Sequence, residues 1–292
     1  MGDRILGVIG GSGLYELPGI RDVRPVRTST PFGAPSDSLV RGRLGDVEVV
    51  FLPRHGVGHR LLPSEVPFRA NVFALKQLGV EFLLSIGAVG SLRETLVPGH
   101  VVVPDQFIDR TVSRRSTFYG EGIVVHVSLA DPVCRVLADA VDAAAREAGG
   151  IVHRDGTYLC MEGPQFSTRA ESHMYRQWGA DIIGMTNWQE AKLAREAEIC
   201  FASLALVTDY DCWRSDADHV VIEDVLRIIA ANAQLAQRAV AGVATRLPAS
   251  RTCACATALQ NAIVTNPAHV PVEIRERLAP LIGKYLSHEE HK

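Results

Sequence analysis

The chain has 292 residues, 47% of them hydrophobic and 22% charged, with a formal net charge of −3. These are ordinary globular values that permit a sizeable core. Acids and bases are interspersed, so the charge pattern argues against nucleic acid and leaves a small molecule as the default partner. No apolar run reaches the roughly 18 residues that a membrane helix needs. The opening MGDRILGVIGG has too short an apolar part for a signal peptide and carries Asp3 beside Arg4, so a cytoplasmic location is expected.

Short apolar runs alternate with helical patterns. Strands are predicted over Ile5–Ile9 and Val47–Leu52, then a helix over Arg69–Leu78 that stops at Gly79. Strands follow over Glu81–Ile86 and over His100–Val103, the latter ended by Pro104. A helix is predicted over Asp131–Ala148, with Asp131 placed to cap it and Gly149 to end it. Next come a helix over Thr168–Trp178, a strand over Ala180–Ile183, a helix over Gln189–Ala197 and a strand over Cys200–Val207. A long helix over Val221–Arg246 and a last one over Val272–Leu286 close the chain. This alternation predicts one α/β domain over 1–292, a mixed central sheet flanked by helices. Residues 249–292 read as a helical extension of that domain.

Four segments carry candidate chemistry. Gly10-Gly11-Ser12-Gly13 follows the first strand; its amides and the Ser12 hydroxyl suit an anion, although a plain tight turn fits equally. It is no Walker loop, and Tyr15 stands where a dinucleotide fingerprint needs its third glycine. Pro53-Arg54-His55-Gly56 follows the second strand, where Arg54 offers a planar fork and His55 a further donor. Two such loops beyond strand ends favour phosphate. In Met161–Thr168, Phe166 can stack on a planar base or belong to the core. In Thr208-Asp209-Tyr210-Asp211, two carboxylates two residues apart share a face of an extended chain. One is then pushed toward its neutral form and suited to act as a general acid. Helix capping and metal ligation are the alternatives.

Cys134, Cys160, Cys200, Cys212, Cys253 and Cys255 show no CxxC pair and no clustered histidine. Buried thiols, with no zinc site, are expected. Cys134 and Cys200 are expected to lie close together, and Cys253 and Cys255 are candidates to pair.

The segments GGSGLY, PRHG, GAVGSLRE, FIDRT, EGPQFSTRAE, GMTNWQEAKLAREAEIC and TDYDCW occur in this order between about residues 4 and 245. In them the chain resembles the trimeric purine-nucleoside and methylthioadenosine phosphorylases. The resemblance implies the type I nucleoside phosphorylase fold and a reaction in which inorganic phosphate, a co-substrate, attacks C1′ of the ribose. No metal or organic cofactor is implied. Ser12, Arg54, His55 and Thr186 fall on phosphate positions. Ala88, Phe166, Met185 and Thr208 fall on nucleoside positions, Met185 under the ribose and Phe166 against the purine. Asp209 falls on the acid facing N7 and Asp211 on the acid near the 6-amino group, which implies 6-aminopurine substrates. His126 corresponds to a histidine lent to the substrate's 5′ end by a neighbouring subunit, implying a homotrimer, with a hexamer as the alternative. The sequence departs from the family pattern at Gly87, where Ser or Thr is usual, and at Trp188 and Gln189. A phosphorylase of broader purine specificity, a hydrolase using water and a non-catalytic nucleoside-binding protein are the rival readings.

Overall fold

A computed structural model describes residues 4–11, 17, 19–214 and 222–286. Strands β1 (Ile5–Gly10), β2 (Arg21–Val26), β3 (Leu39–Leu44) and β4 (Val47–Pro53) precede helix α1 (Phe68–Gln77). Then come β5 (Phe82–Ser91), β6 (Val101–Val103), β7 (Gln106–Arg110) and α2 (Arg135–Glu147). They are followed by β8 (Val152–Arg154), β9 (Thr157–Met161), α3 (Arg169–Gln177), β10 (Ile182–Gly184), α4 (Asn187–Glu196) and β11 (Cys200–Tyr210). Helices α5 (Ile222–Arg246), α6 (Val272–Arg277) and α7 (Ala279–Leu286) end the described chain. No described helix is long and apolar enough to cross a membrane.

The strands form one mixed sheet in the order β2-β3-β4-β1-β5-β10-β9-β7, with β11 against β5 and β6, and β8 beyond β6. Every residue of β4 is buried, as are all of β1 except Ile5 and all of β11 through Thr208. Such unbroken apolar runs are what a strand covered on both faces requires. α2 packs on α5, and both lie against β11. The predicted α/β architecture with its mixed sheet and flanking helices is the one observed.

Five strands escaped the sequence reading. β2 (RDVRPV) is exposed along nearly its whole length and contains Pro25, which marks an edge strand with little hydrophobic signal. β3, β7, β8 and β9 are short or polar on one face. Cys134, not Asp131, stands at the N-cap of α2, without a side-chain capping bond. The Cys134 amide donates to the Phe201 carbonyl of β11, which binds the segment before the helix to the sheet. The predicted last helix is two helices, broken at Leu278. Pro280 has no amide hydrogen to continue the first one and suits the first turn of the second. Thr168 caps α3, in a capping box with Glu171.

Candidate active site

The site is built where the sheet forks. β5 pairs with β1 as far as Ser85 and with β10 from Gly90 onward. Among the described residues, 86–89 therefore have a strand neighbour on one side only, β11. Ala88 is exposed there, between half-buried Gly87 and buried Val89, in a strand buried from Phe82 to Ile86. This gap lies toward the carboxyl ends of parallel strands, where open α/β sheets bind ligands.

One wall of the gap is a buried polar network. Arg54 is 3% exposed. Its Nε donates to Glu190 Oε1 at 2.6 Å, and its Nη2 to Glu190 Oε2 at 3.1 Å and Ser85 Oγ at 2.8 Å. Ser85 Oγ donates to Glu190 Oε2 at 2.5 Å, and Asn187 Nδ2 donates to the hydroxyls of Ser85 and Ser203. Burial alone would weaken the Arg54 cation; the adjoining Glu190 carboxylate more than offsets this and holds its pKa above the ordinary arginine value. The fork that the sequence reading assigned to a ligand is thus taken by Glu190. Nη1, which carries two N–H groups, makes a single bond, to the Ile86 carbonyl at 2.9 Å. A Cβ placed on Gly87 would lie 3.6 Å from that Nη1, with no other neighbour within 4 Å. The remaining donor of Arg54 and open space therefore adjoin at Gly87.

His55 stacks on His59, with ring centroids 4.3 Å apart. Burial pushes its pKa down to about 4, so the ring is neutral near pH 7. Its Nδ1 lies 2.8 Å from the Leu61 carbonyl. A carbonyl only accepts, so Nδ1 carries the hydrogen and Nε2 is left as an acceptor. His55 is expected from the sequence to add a donor; in this tautomer its one N–H is committed to Leu61. Thr186 is buried and stands at the N-cap of α4, yet its hydroxyl makes no capping bond. Helix amino termini present free amides and a favourable field to anions. Ser12 lies outside the described residues.

The opposite wall is carboxylate. A β-bulge separates Val207 from Asp209, and the Asp211 amide donates to the Ser91 carbonyl, so the strand end stays alongside β5. A Cβ on Gly90 would lie 3.2 Å from Asp209 Oδ1 and 3.6 Å from Asp211 Cβ; both acids flank the same point. Burial raises the Asp209 pKa, the Thr208 hydroxyl at 2.7 Å works against this, and Asp211 adds to the rise. Asp211 is buried, and its Oδ2 has no hydrogen-bond partner among the described residues. A buried carboxylate oxygen left unmet calls for a donor.

Met185 and the loop at Glu162 are drawn together by Arg114. Its guanidinium donates to the carbonyls of Met185 and Glu162 and to Gln189 Oε1. Gly163, at φ +67°, would place a Cβ 2.6 Å from Met185 Sδ, so only glycine lets the two segments touch. Beside it, a Cβ on Gly184 would fall 1.9 Å from Tyr158 Oη. Phe166, in the same loop, is 83% exposed; it is not core. His126 is exposed on a segment whose backbone pairs with residues 262–264. No bond among the described residues joins it to the other candidates. Trp188 stacks on Phe107 at 5.0 Å. Gln189, fully buried, bridges Thr111 and Arg114. Both departures from the family pattern thus have packing partners.

Sequence reasoning missed Glu190, Ser85, Asn187 and Arg114. The spacing of α4 held a signal: Asn187, Glu190 and Leu193 recur at helical period, which puts polar groups in line with a buried position.

A model of the phosphorylase superfamily matches residues 5–245. The chain belongs to that superfamily. It is 55% identical over 285 residues to S-methyl-5′-thioadenosine phosphorylase of Geobacter sulfurreducens, covering 97% of this chain and 100% of the relative. The Koribacter versatilis protein of that name is 54% identical, with 98% of each chain covered. A crystal structure of methylthioadenosine phosphorylase from an antarctic soil metagenomic library superposes with a TM-score of 0.88 at 50% identity, over 96% of this chain and 99% of that one. A mutant adenosine/methylthioadenosine phosphorylase from Schistosoma mansoni, in complex with adenine, gives 0.84 at 36% identity over 90% and 99%.

In this superfamily member the neutral His55 has a measurable signature. The unfolded chain takes up the His55 proton near 6.5 and the folded chain only near 4. Its share of stability is therefore complete above 6.5 and falls as pH drops toward 4. Burial pushes the Glu196 carboxyl up to about 7, which gives an opposite slope, so the comparison must be between proteins. Urea midpoints measured from pH 7 to 4 should fall more steeply for the native chain than for His55→Gln; equal slopes would contradict the assignment.

Proposed function

We propose that this protein cleaves 5′-methylthioadenosine with inorganic phosphate, giving adenine and 5-methylthioribose 1-phosphate. The observation that carries this reading is the convergence of Asp209, held toward its protonated form, and Asp211, with an unmet Oδ2, on one point of β5. The spare Arg54 donor adjoins Gly87 on the same strand. The relatives named S-methyl-5′-thioadenosine phosphorylase, similar over nearly the whole chain, supply the substrate.

In the proposed reaction a phosphate oxygen forms a bond to C1′ as the C1′–N9 bond breaks and its electron pair passes to the purine. The transition state resembles that of other glycosyl transfers, with positive charge on the sugar. The phosphate anion meets that charge, and Asp209 gives its proton to N7. Asp211 Oδ2 accepts from the 6-amino group. Ser12, the Arg54 Nη1 donor and Thr186 at the α4 terminus hold phosphate; His55 Nε2 accepts from its P–OH. Ala88, Met185, Thr208 and Phe166 line the nucleoside. Positioning and electrostatics account for the acceleration, and the scheme calls for no metal or organic cofactor. The protein is proposed to act in the cytoplasm. It is proposed to be a homotrimer, which could pair into a hexamer, with His126 serving the neighbouring subunit's site. Val124 and Val264, hydrogen-bonded through their backbones beside His126, are 48% and 64% exposed and suit such an interface.

The deciding experiment incubates the protein with methylthioadenosine, adenosine and inosine, with and without phosphate, and identifies the products. Phosphate-dependent release of adenine from methylthioadenosine is expected, and faster cleavage of inosine than of both adenine nucleosides would refute the aspartate roles. Asp209→Asn should cut methylthioadenosine turnover by about 10²–10⁴ and relatively favour inosine, because an amide can donate to both N7 and O6. Gly87→Ser should lower the phosphate KM, since its hydroxyl fits the open space beside Arg54; an unchanged or raised KM would place the anion elsewhere. Light scattering at working concentration should give three or six subunits, and a fully active monomer would rule that assembly out.

A further inference from the structure

We propose that Cys134, Cys200, Cys253 and Cys255 form a tetrathiolate site for one zinc ion. Their sulfurs all lie within 4.8 Å of one another. Cys253 Sγ is 3.3 Å from Cys200 Sγ and 3.7 Å from Cys134 Sγ. A zinc ion with sulfur bonds of about 2.3 Å in a tetrahedron has sulfur–sulfur edges of about 3.8 Å, so small adjustments would close the shell.

Three elements distant in sequence build the cluster. Cys134 is the N-cap of α2, Cys200 opens β11, and Cys253 and Cys255 begin and enter the short 3-10 turn over Ala254–Thr257. No ligand pair has the CxxC spacing, so sequence alone gave no reason to expect a metal. Cys134, Cys200 and Cys255 are 3%, 0% and 6% exposed. All six cysteines of the chain are free thiols. Four packed thiols are poor hydrogen-bonding partners for each other, whereas one soft cation would engage all of them. Cys253 lies near two sulfurs at once, an arrangement that suits a shared centre better than two separate bridges. Lys76 and Arg251 donate to the carbonyls of Ala197 and Glu198, just before Cys200; with Arg251 paired to Glu81 and Lys284 to Glu198, Lys76 is the cation left over, among the described residues, at the end of the sheet where a zinc tetrathiolate would be a dianion.

The ligand shell is complete without water, as in structural zinc sites. Cys200 is the first residue of β11 and Asp209 the tenth; at about 3.3 Å per residue the two ends are about 30 Å apart. The ion would therefore clamp the chain after Cys253 to the sheet, without reaching the reacting atoms. Binding releases the thiol protons as the thiolates form.

The test uses the full chain, purified with reductant and loaded with zinc or cobalt(II), then freed of unbound metal by gel filtration. About one zinc per chain by mass spectrometry of the metal is expected, released by an organomercurial. Cobalt should give tetrahedral d–d bands with intense sulfur-to-metal charge transfer. The Cys253→Ser/Cys255→Ser pair should lose that signature and expose the tail to protease, and a single Cys212→Ser change should retain it. Failure of the reduced chain to retain zinc, cobalt bands of octahedral type, iron in place of zinc, or isolation of the four cysteines as two disulfides would each overturn the proposal.

Discussion

The buried pair of Arg54 and Glu190 governs the geometry of the site. Removing either partner of such a pair strands the other charge, at about 3–5 kcal/mol. The pair also joins the end of β4 to α4 across β5, with Ser85 and Asn187 filling the remaining bonding capacity. A guanidinium fixed on all but one edge has few conformations left to lose. Its one unengaged donor points into the fork of the sheet without a loss of side-chain entropy on binding.

Across the fork the same strand pair creates a contrasting environment. Burial and the neighbouring Asp211 carboxylate outweigh the Thr208 hydroxyl at Asp209, so its proton is retained to higher pH than on a solvated aspartate. Asp211 is held by its amide against Ser91 with one oxygen unmet. The surroundings thus bias Asp209 toward its protonated form and leave Asp211 with one oxygen unmet.

Much of this was legible in the chain. The apolar runs of β1, β4 and β11 announced buried strands, and Arg54 after β4 and Asp209 and Asp211 at the end of β11 do meet at the fork. Edge strands such as β2 were not legible, because exposed positions carry no hydrophobic period. Nor were the partners of Arg54: that Glu190 would claim its fork depends on α4 packing across β5, 136 positions away in sequence. The four cysteines illustrate the same limit. Their spacing matched no ligand pattern, and only the path of the chain brings the tail back to the start of β11. The state of His55 needed the Leu61 carbonyl, whose direction no local pattern specifies.

That carbonyl bears on which anions the proposed phosphate site would accept. With Nδ1–H committed and the ring neutral, Nε2 offers a lone pair and no hydrogen. An anion resting against it must bring a proton of its own. Hydrogen phosphate does so near neutral pH; sulfate, of similar size and charge, has none to give and would set lone pair against lone pair. In the proposed phosphate site the imidazole would thereby sort tetrahedral anions by protonation state, a distinction that positive charge alone does not make.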